Sequence, residues 1–231
     1  EATGALLCLD VTEAVLDEAI ALGHNLVISH HPLIFKGYKS ITGKDYVERC
    51  ILKAIKNDIV IYSAHTNLDN AYGGVNYKIA EKIGLKNLQV LEPKENSLQD
   101  DLMQAGAGIV GELDEPETEL EFLKRIKKTF EVGCVRHNRL TGREIQKVAL
   151  CGGAGAFLLP KAVSADADVF ITGEVKYHDY FNYENDILVA EMGHYESEQY
   201  TKEIFYSIIQ EMFPELEVQI TRVNTNPIKY L

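Results

Sequence analysis

Three short stretches combine imidazole and carboxylate side chains in spacings that suit metal ligation. Ser29-His30-His31-Pro32 follows the apolar run Leu26–Ser29. Neighbouring residues on a strand face opposite ways, but just past its end the backbone can turn both inward. Two adjacent imidazoles can then each serve a different ion of a close pair. His65 and Asp69 stand in His65-Thr66-Asn67-Leu68-Asp69-Asn70, also just past an apolar run. Taken alone, that stretch is better explained as a turn in which Asn67 and Asp69 satisfy backbone donors. His194 and Glu198 are four apart where a helix begins, so they share one face, and a Glu carboxylate can bridge two cations. A terminal acid favoured by the positive helix end is the competing explanation. Together the three groups lie directly C-terminal to apolar strands, where open α/β sheets gather their ligands. Imidazole with carboxylate and no thiolate suits zinc, iron, manganese or cobalt. Two such ions can acidify a water and clamp developing negative charge.

Further candidates come from an internal correspondence. Cys8 to Ser29 spans as many residues as Cys151 to Thr172, each running strand, helix, apolar strand. His30-His31 then corresponds to Gly173-Glu174, and Ile59-Val60-Ile61 before His65 to Ile187-Leu188-Val189 before His194. Related loops at equivalent strand ends would converge on one site. Glu174 takes the place of His31, and His178 follows it at helical spacing, so either is a candidate general acid or base; a surface ion pair is the alternative. Gly152-Gly153-Ala154-Gly155 sits between a strand and a helix, where backbone N–H groups can hold a phosphate. It lacks the Lys-Ser/Thr of a P-loop and the spacing of a dinucleotide fingerprint, and a tight turn explains it equally.

The elements that must position these residues alternate. Ala5–Leu9 reads as a strand, and Thr12 caps a helix through Val15, Leu16, Ala19 and Ile20 that Gly23 ends. Leu26–Ser29 and Ile59–Ser63 are strands, with helices at Asp45–Asn57 and from Gly74 to Ile83. The C-terminal half repeats the alternation, with strands at Val148–Cys151, Val169–Thr172 and Ile187–Ala190 and helices at Gly155–Val163, Tyr177–Tyr183 and His194–Phe213. This predicts a largely parallel α/β fold of two similar lobes related by a pseudo-repeat. The expected division is residues 1–91 as the first lobe, 92–146 as a linker and small connecting unit, and 147–231 as the second lobe. Within the connecting stretch, Lys94–Asp114 reads as irregular and Leu120–Phe130 as a helix.

Composition sets the outer bounds. The 231 residues are 46% hydrophobic and 25% charged, which is globular, and the net charge of −12 argues against a general nucleic-acid-binding surface. Lys124, Arg125, Lys127 and Lys128 cluster but read as a solvated helix face. Cys8, Cys50, Cys134 and Cys151 form no close pair, which suits free thiols in a reducing cytoplasm. No apolar run approaches the roughly 18 residues of a membrane span, and there is no signal peptide. The chain opens abruptly on a strand, as if a preceding segment were missing.

Leu9-Asp10-Val11-Thr12, Ser29-His30-His31-Pro32-Leu33, His65-x-x-Leu68-Asp69, Cys151-Gly152-Gly153, Thr172-Gly173-Glu174-x-x-Tyr177-His178, Gly193-His194-Tyr195-Glu196-Ser197-Glu198 and Asn224-Thr225-Asn226-Pro227 together resemble one family. It is the NGG-interacting-factor-three-like family, also named GTP cyclohydrolase 1 type 2 homologues. The resemblance implies two α/β lobes around a dinuclear metal centre, assembled as a toroidal homohexamer. It implies two divalent ions per chain held by His30, His31, Asp69, His194 and Glu198, with His65 as an additional ligand or supporting group. The implied reaction is opening of the guanine imidazole ring of GTP with loss of formate, with acid–base help from Glu174, His178 or His65. Family members normally begin with a further strand–helix segment, which this sequence does not show, and longer ones insert a small ferredoxin-like domain between the lobes. Here Glu92-Pro93-Lys94 passes within a few residues to Gln104-Ala105-Gly106, the pattern either of a natural short form or of a chain whose insert is deleted or unseen. Competing expectations are a metal-dependent phosphoesterase and a non-catalytic scaffold or interaction protein with a structural site.

Overall fold

The computed structural model describes residues 1–94 and 105–231. The chain begins with β1 (Ala5–Cys8), α1 (Glu13–Leu22), β2 (Leu26–Ser29), α2 (Tyr46–Lys56) and β3 (Val60–Ser63). A single turn, α3 (Thr66–Asp69), leads to α4 (Val75–Ile83), β4 (Lys86–Pro93), β5 (Gly106–Thr118) and α5 (Glu119–Thr129). Then come β6 (Arg136–His137), β7 (Glu144–Cys151), a 3-10 turn over Gly155–Leu158, α6 (Leu159–Ser164) and β8 (Val169–Thr172). The chain continues with α7 (Asp179–Asn182), β9 (Leu188–Glu191), α8 (His194–Glu198), α9 (Thr201–Met212) and β10 (Val218–Ile220). These elements make a mixed α/β fold with two sheets, divided between two compact units.

The first unit comprises residues 1–67 and 201–229. Its sheet is parallel throughout, in the order β10-β1-β2-β3. All four residues of β1 are buried, the continuous apolar run expected of a strand covered on both faces. α1 starts where the Thr12 hydroxyl accepts from the Val15 amide and stops at Gly23, whose φ of 71° suits a residue without Cβ. It packs Val15, Leu16 and Ala19 into a core with Leu6, Val27 and Cys50. Glu18 fastens the far end of the chain to this helix by accepting from the Arg222 amide (3.0 Å) and the Thr221 hydroxyl.

The second unit comprises residues 68–200 and 230–231. Its six-stranded sheet runs β4-β5-β7-β8-β9-β6, with β7, β8 and β9 parallel and the other three added antiparallel. Phe170, Val189, Leu158 and Ala162 lead its core. The parallel strands of the two sheets share a register. Cys8 pairs with Ser29 and Ser29 with Ser63 in the first; Cys151 pairs with Thr172 and Thr172 with Glu191 in the second.

Several expectations need correction. The stretch from Lys94 to Asp114 falls partly on residues 95–104, outside the described residues, but from Gly106 onward it is strand β5, not irregular chain. Within the stretch expected as a linker and connecting unit, β4 and β5 extend the sheet through β7, and the compact units divide the chain after residues 67 and 200. Glycines 106, 108 and 111 suggested a loop, yet they lie where β5 crosses β4 and Leu158 too closely for a side chain. The helix expected over His194–Phe213 is two helices, α8 and α9, assigned to different units. On α9, Ile204 and Phe205 are buried as expected, whereas Ile208 and Met212 are exposed. Gly155–Val163 is a 3-10 turn followed by α6, and helix near Tyr177–Tyr183 shrinks to α7.

Candidate metal-binding clusters

In the first unit, three imidazoles gather at the C-terminal ends of β2 and β3. His30 and His31 follow β2, and His65 follows Ala64 after β3. Ring centroids are 5.0 Å apart for His30 and His31, 5.2 Å for His30 and His65, and 5.5 Å for His31 and His65. Each ring offers a nitrogen within 4.8 Å of the other two, a group that could hold a metal ion. His30 is fully buried and its Nδ1 lies 2.9 Å from the Ala64 carbonyl. A carbonyl only accepts, so Nδ1 carries the hydrogen and Nε2 the lone pair. His31 Nδ1 lies 2.7 Å from Asp10 Oδ1, and the other Asp10 oxygen accepts from the Thr225 hydroxyl at 2.7 Å. This carboxylate–imidazole arrangement fixes a metal-binding tautomer and raises the basicity of the opposite nitrogen.

The second unit assembles carboxylates around one imidazole. His194 and Glu198 share a face of α8, as their spacing predicts, with Nε2 3.1 Å from Oε2. Two ligands of one ion, each roughly 2.1 Å from it, sit at about this separation. His194 Nδ1 lies 2.9 Å from Glu174 Oε1, repeating the device at His31. The hydrogen bond that His194 donates to Glu198, and then the one to Glu174, hold its pKa above the ordinary value although burial opposes this. The pocket thus favours positive charge. Asp69, at the end of α3, offers an oxygen within 4.8 Å of one from Glu198. Burial, followed by the charges of Asp69 and Glu198, pushes the Cys151 thiol up to about 12, so it stays protonated.

The glycine-rich turn after β7 has a structural use. Gly153 has φ +58°, and a Cβ there would drive into the Glu198 carboxylate. Its amide donates to Ser197 Oγ (3.0 Å), and its carbonyl accepts from the amides of Gly173 and Glu174 at 2.9 and 3.0 Å. The turn therefore shapes the wall beside Glu198. Buried Asn76 completes it, donating to the Asp69 carbonyl (3.0 Å) and accepting from the Gly152 amide (2.9 Å).

Of the acid–base candidates, Glu174 sits against His194 and also lines an open cleft of about 640 Å³ with Arg136, Phe157, Lys176 and Asp179. Glu174 and His178 precede α7, so the helix spacing expected of them is not realised. His178 is exposed and stacks with Tyr177 and Phe181, centroids 5.2 and 6.3 Å away. His65 belongs to the imidazole cluster. Asp10 and Thr225 stood within the resemblance motifs with no role attached, and Asn76 gave no sequence signal, since an asparagine inside a helix looks like surface.

An α/β protein whose strand ends present oriented imidazoles and carboxylates carries groups that could bind a metal. Residues 1–227 match the Duf34/NIF3 (NGG1p interacting factor 3) family, and the chain belongs to it. It is 36% identical over 197 residues to the GTP cyclohydrolase 1 type 2 homolog of Clostridium perfringens, covering 85% of this chain and 73% of that protein. The counterpart from Staphylococcus aureus strain MRSA252 is 26% identical over 334 residues, covering all of this chain and 91% of its own length. That alignment exceeds the 231 residues here, so the relative carries sequence with no counterpart in this chain. The crystal structure of the Staphylococcus aureus hypothetical protein SA1388 matches with TM-score 0.90 at 30% identity, covering 100% of this chain and 88% of that one. A Bacillus cereus protein related to NIF3 shares the fold, with TM-score 0.89 at 24% identity, covering 100% of this chain and 90% of that one. Among the described residues no helix is long and apolar enough to cross a membrane.

Proposed function

We propose that this chain is a dinuclear metal-dependent hydrolase in which His30, His31, Asp69, His194 and Glu198 hold two divalent ions, and that its reaction is ring opening of GTP with release of formate. One observation carries the reading: three imidazoles each have Nδ1 against an oxygen (Ala64, Asp10 or Glu174), so each presents Nε2 as a ligand nitrogen. Histidines that merely fill a surface have no reason to share that orientation. The donor set fits zinc, iron, manganese or cobalt. When bound, two such ions acidify a water and neutralise charge that develops on the substrate.

The chain's own residues supply the remainder. Asp10, held by Thr225, orients His31, and Glu174 orients His194. Glu174 also faces the cleft, so it can exchange a proton with a ligand there; His65 and His178 are the other proton carriers in this reading. The substrate name comes from the relatives' names, with the matching strand registers supporting duplicated lobes whose loops serve one centre. A homohexameric ring in the cytoplasm completes the proposal, and light scattering on the purified chain tests the assembly.

The central test is metal content per chain together with GTP-dependent formate release, on wild type and His31→Ala/Glu198→Ala. About two metals in wild type, lost together with formate in the variant, is the expected result. Phosphate release in place of formate identifies a phosphoesterase, and metal without turnover a scaffold. A chain that takes up no metal under any loading condition overturns the reading.

A further inference from the structure

Acidic residues outnumber basic ones 35 to 23, yet Ala19–Lys44 contains no Asp or Glu while holding Lys36, Lys39 and Lys44. The end of this run is the loop that leaves His31. It is pinned at its start, where the His31 carbonyl accepts from the Ser29 hydroxyl at 2.8 Å. It is pinned again at its finish, where Glu48 Oε2 accepts from the amides of Thr42, Gly43 and Lys44 and the Thr42 hydroxyl. Between 33 and 41 no backbone hydrogen bond ties it down among the described residues. Residues 34–42 are exposed, and Lys36 and Lys39 have no ion-pair partner among the described residues. Phe35 is 67% exposed and stands edge-on to His65, with centroids 5.7 Å apart.

A solvated loop accounts for lysines. It does not account for a large exposed aromatic ring against the imidazole cluster, flanked by cations in the longest acid-free reach of the first unit. We propose that the loop Ile34–Ser40 binds a nucleotide polyphosphate, with Phe35 stacking on the base and Lys36 and Lys39 holding the phosphates; this rests on reading the imidazole cluster as a hydrolytic metal site. Every base has a π face, so one exposed ring beside the reacting groups is a sufficient platform. A polyphosphate approaching a chain of charge −12 needs a local positive field, and this loop supplies one. One ring and two lysines match a single nucleotide; an oligonucleotide would need a longer basic track.

The test is equilibrium dialysis of the metal-loaded chain against GTP, guanosine, inorganic triphosphate and a single-stranded oligonucleotide. Wild type is compared with Lys36→Ser/Lys39→Ser and Phe35→Ser, and metal content is measured on every sample. The double lysine variant should lose roughly tenfold or more in affinity for both GTP and triphosphate, with a weaker salt dependence. Phe35→Ser should lose roughly 5- to 150-fold for GTP and guanosine while holding triphosphate as before. Unchanged GTP affinity in both variants overturns the inference, as does a fully metallated wild type that binds no nucleotide. Tighter binding of the oligonucleotide than of GTP overturns the mononucleotide assignment. Loss of GTP affinity in the variants without formate release in wild type leaves the loop assignment standing and removes the cyclohydrolase reaction alone. A chain without metal removes the site reading instead.

Discussion

At the scale of single residues, the candidate ligands are held by partners that lie outside the clusters able to hold a metal. Asp10 takes the His31 Nδ1 hydrogen with one oxygen and the Thr225 hydroxyl with the other. Asp10→Ala removes the acceptor from both, so the His31 ring is free to turn and its Nε2 becomes less basic. Metal affinity should fall roughly 10- to 100-fold, read by competition with a chromophoric chelator, with the circular dichroism spectrum unchanged. Thr225→Val, which frees only the far side of Asp10, should cost less. Affinity in Asp10→Ala equal to wild type would show that His31 orientation does not matter. The ligand candidates stand out in the sequence because their imidazoles and carboxylates follow apolar runs, where open α/β sheets gather ligands. Their supports do not, since Asp10 and Thr225 lie 215 residues apart in sequence and meet only when β10 closes beside β1.

At the scale of elements, two buried glutamates at helix starts hold loops by the same means. Glu48 in α2 takes Thr42, Gly43 and Lys44, and Glu119 in α5 takes the Thr141 hydroxyl and the amides of Thr141 and Gly142. Burial pushes the Glu48 pKa up, but the hydrogen bonds from Thr42, Lys44 and Gly43 outweigh it and leave the group at about 2. An unfolded Glu titrates near roughly 4.3, so the folded state binds the proton less well. The stabilisation is therefore fully present above that value and disappears as pH falls through the window down to about 2. Glu48→Gln should melt below wild type at neutral pH, with the gap closing between about pH 5 and 2 in calorimetric scans. A gap that stays constant across that range would mean the carboxylate charge is not what holds the loop. The helices carrying these residues were readable from caps and apolar spacing, with α2 starting one residue after the Asp45 that caps it. β5 was not, because its glycines serve close strand packing while resembling a turn.

At the scale of the whole molecule, chain order and spatial grouping part company. A linear reading placed the boundary after residue 91, yet the first compact unit takes residues 1–67 and returns for 201–229. Periodicity identifies strands but carries no information on which of them pair across 200 residues, so β10 escaped notice. Its position makes it consequential. The Ala5 amide donates to the Glu217 carbonyl and the Thr221 amide to the Leu7 carbonyl, both at 2.8 Å, which satisfies the outer edge of β1. The residues just beyond it engage Glu18 and Asp10. Deleting residues 218–231 would open the edge of a fully buried strand, leave Glu18 without these donors and withdraw Thr225 from Asp10. Native-state hydrogen exchange should then show amides of β1 and β2 losing protection, while those of β7 and β8, paired within the other sheet, lose much less. Metal affinity should fall at least as far as in Asp10→Ala, because the same support is gone. Full protection of β1 in the shortened chain would mean that β10 only decorates the sheet. In that event the orientation of His31 would have to come from Asp10 alone, and the family motif around Thr225 would need another explanation.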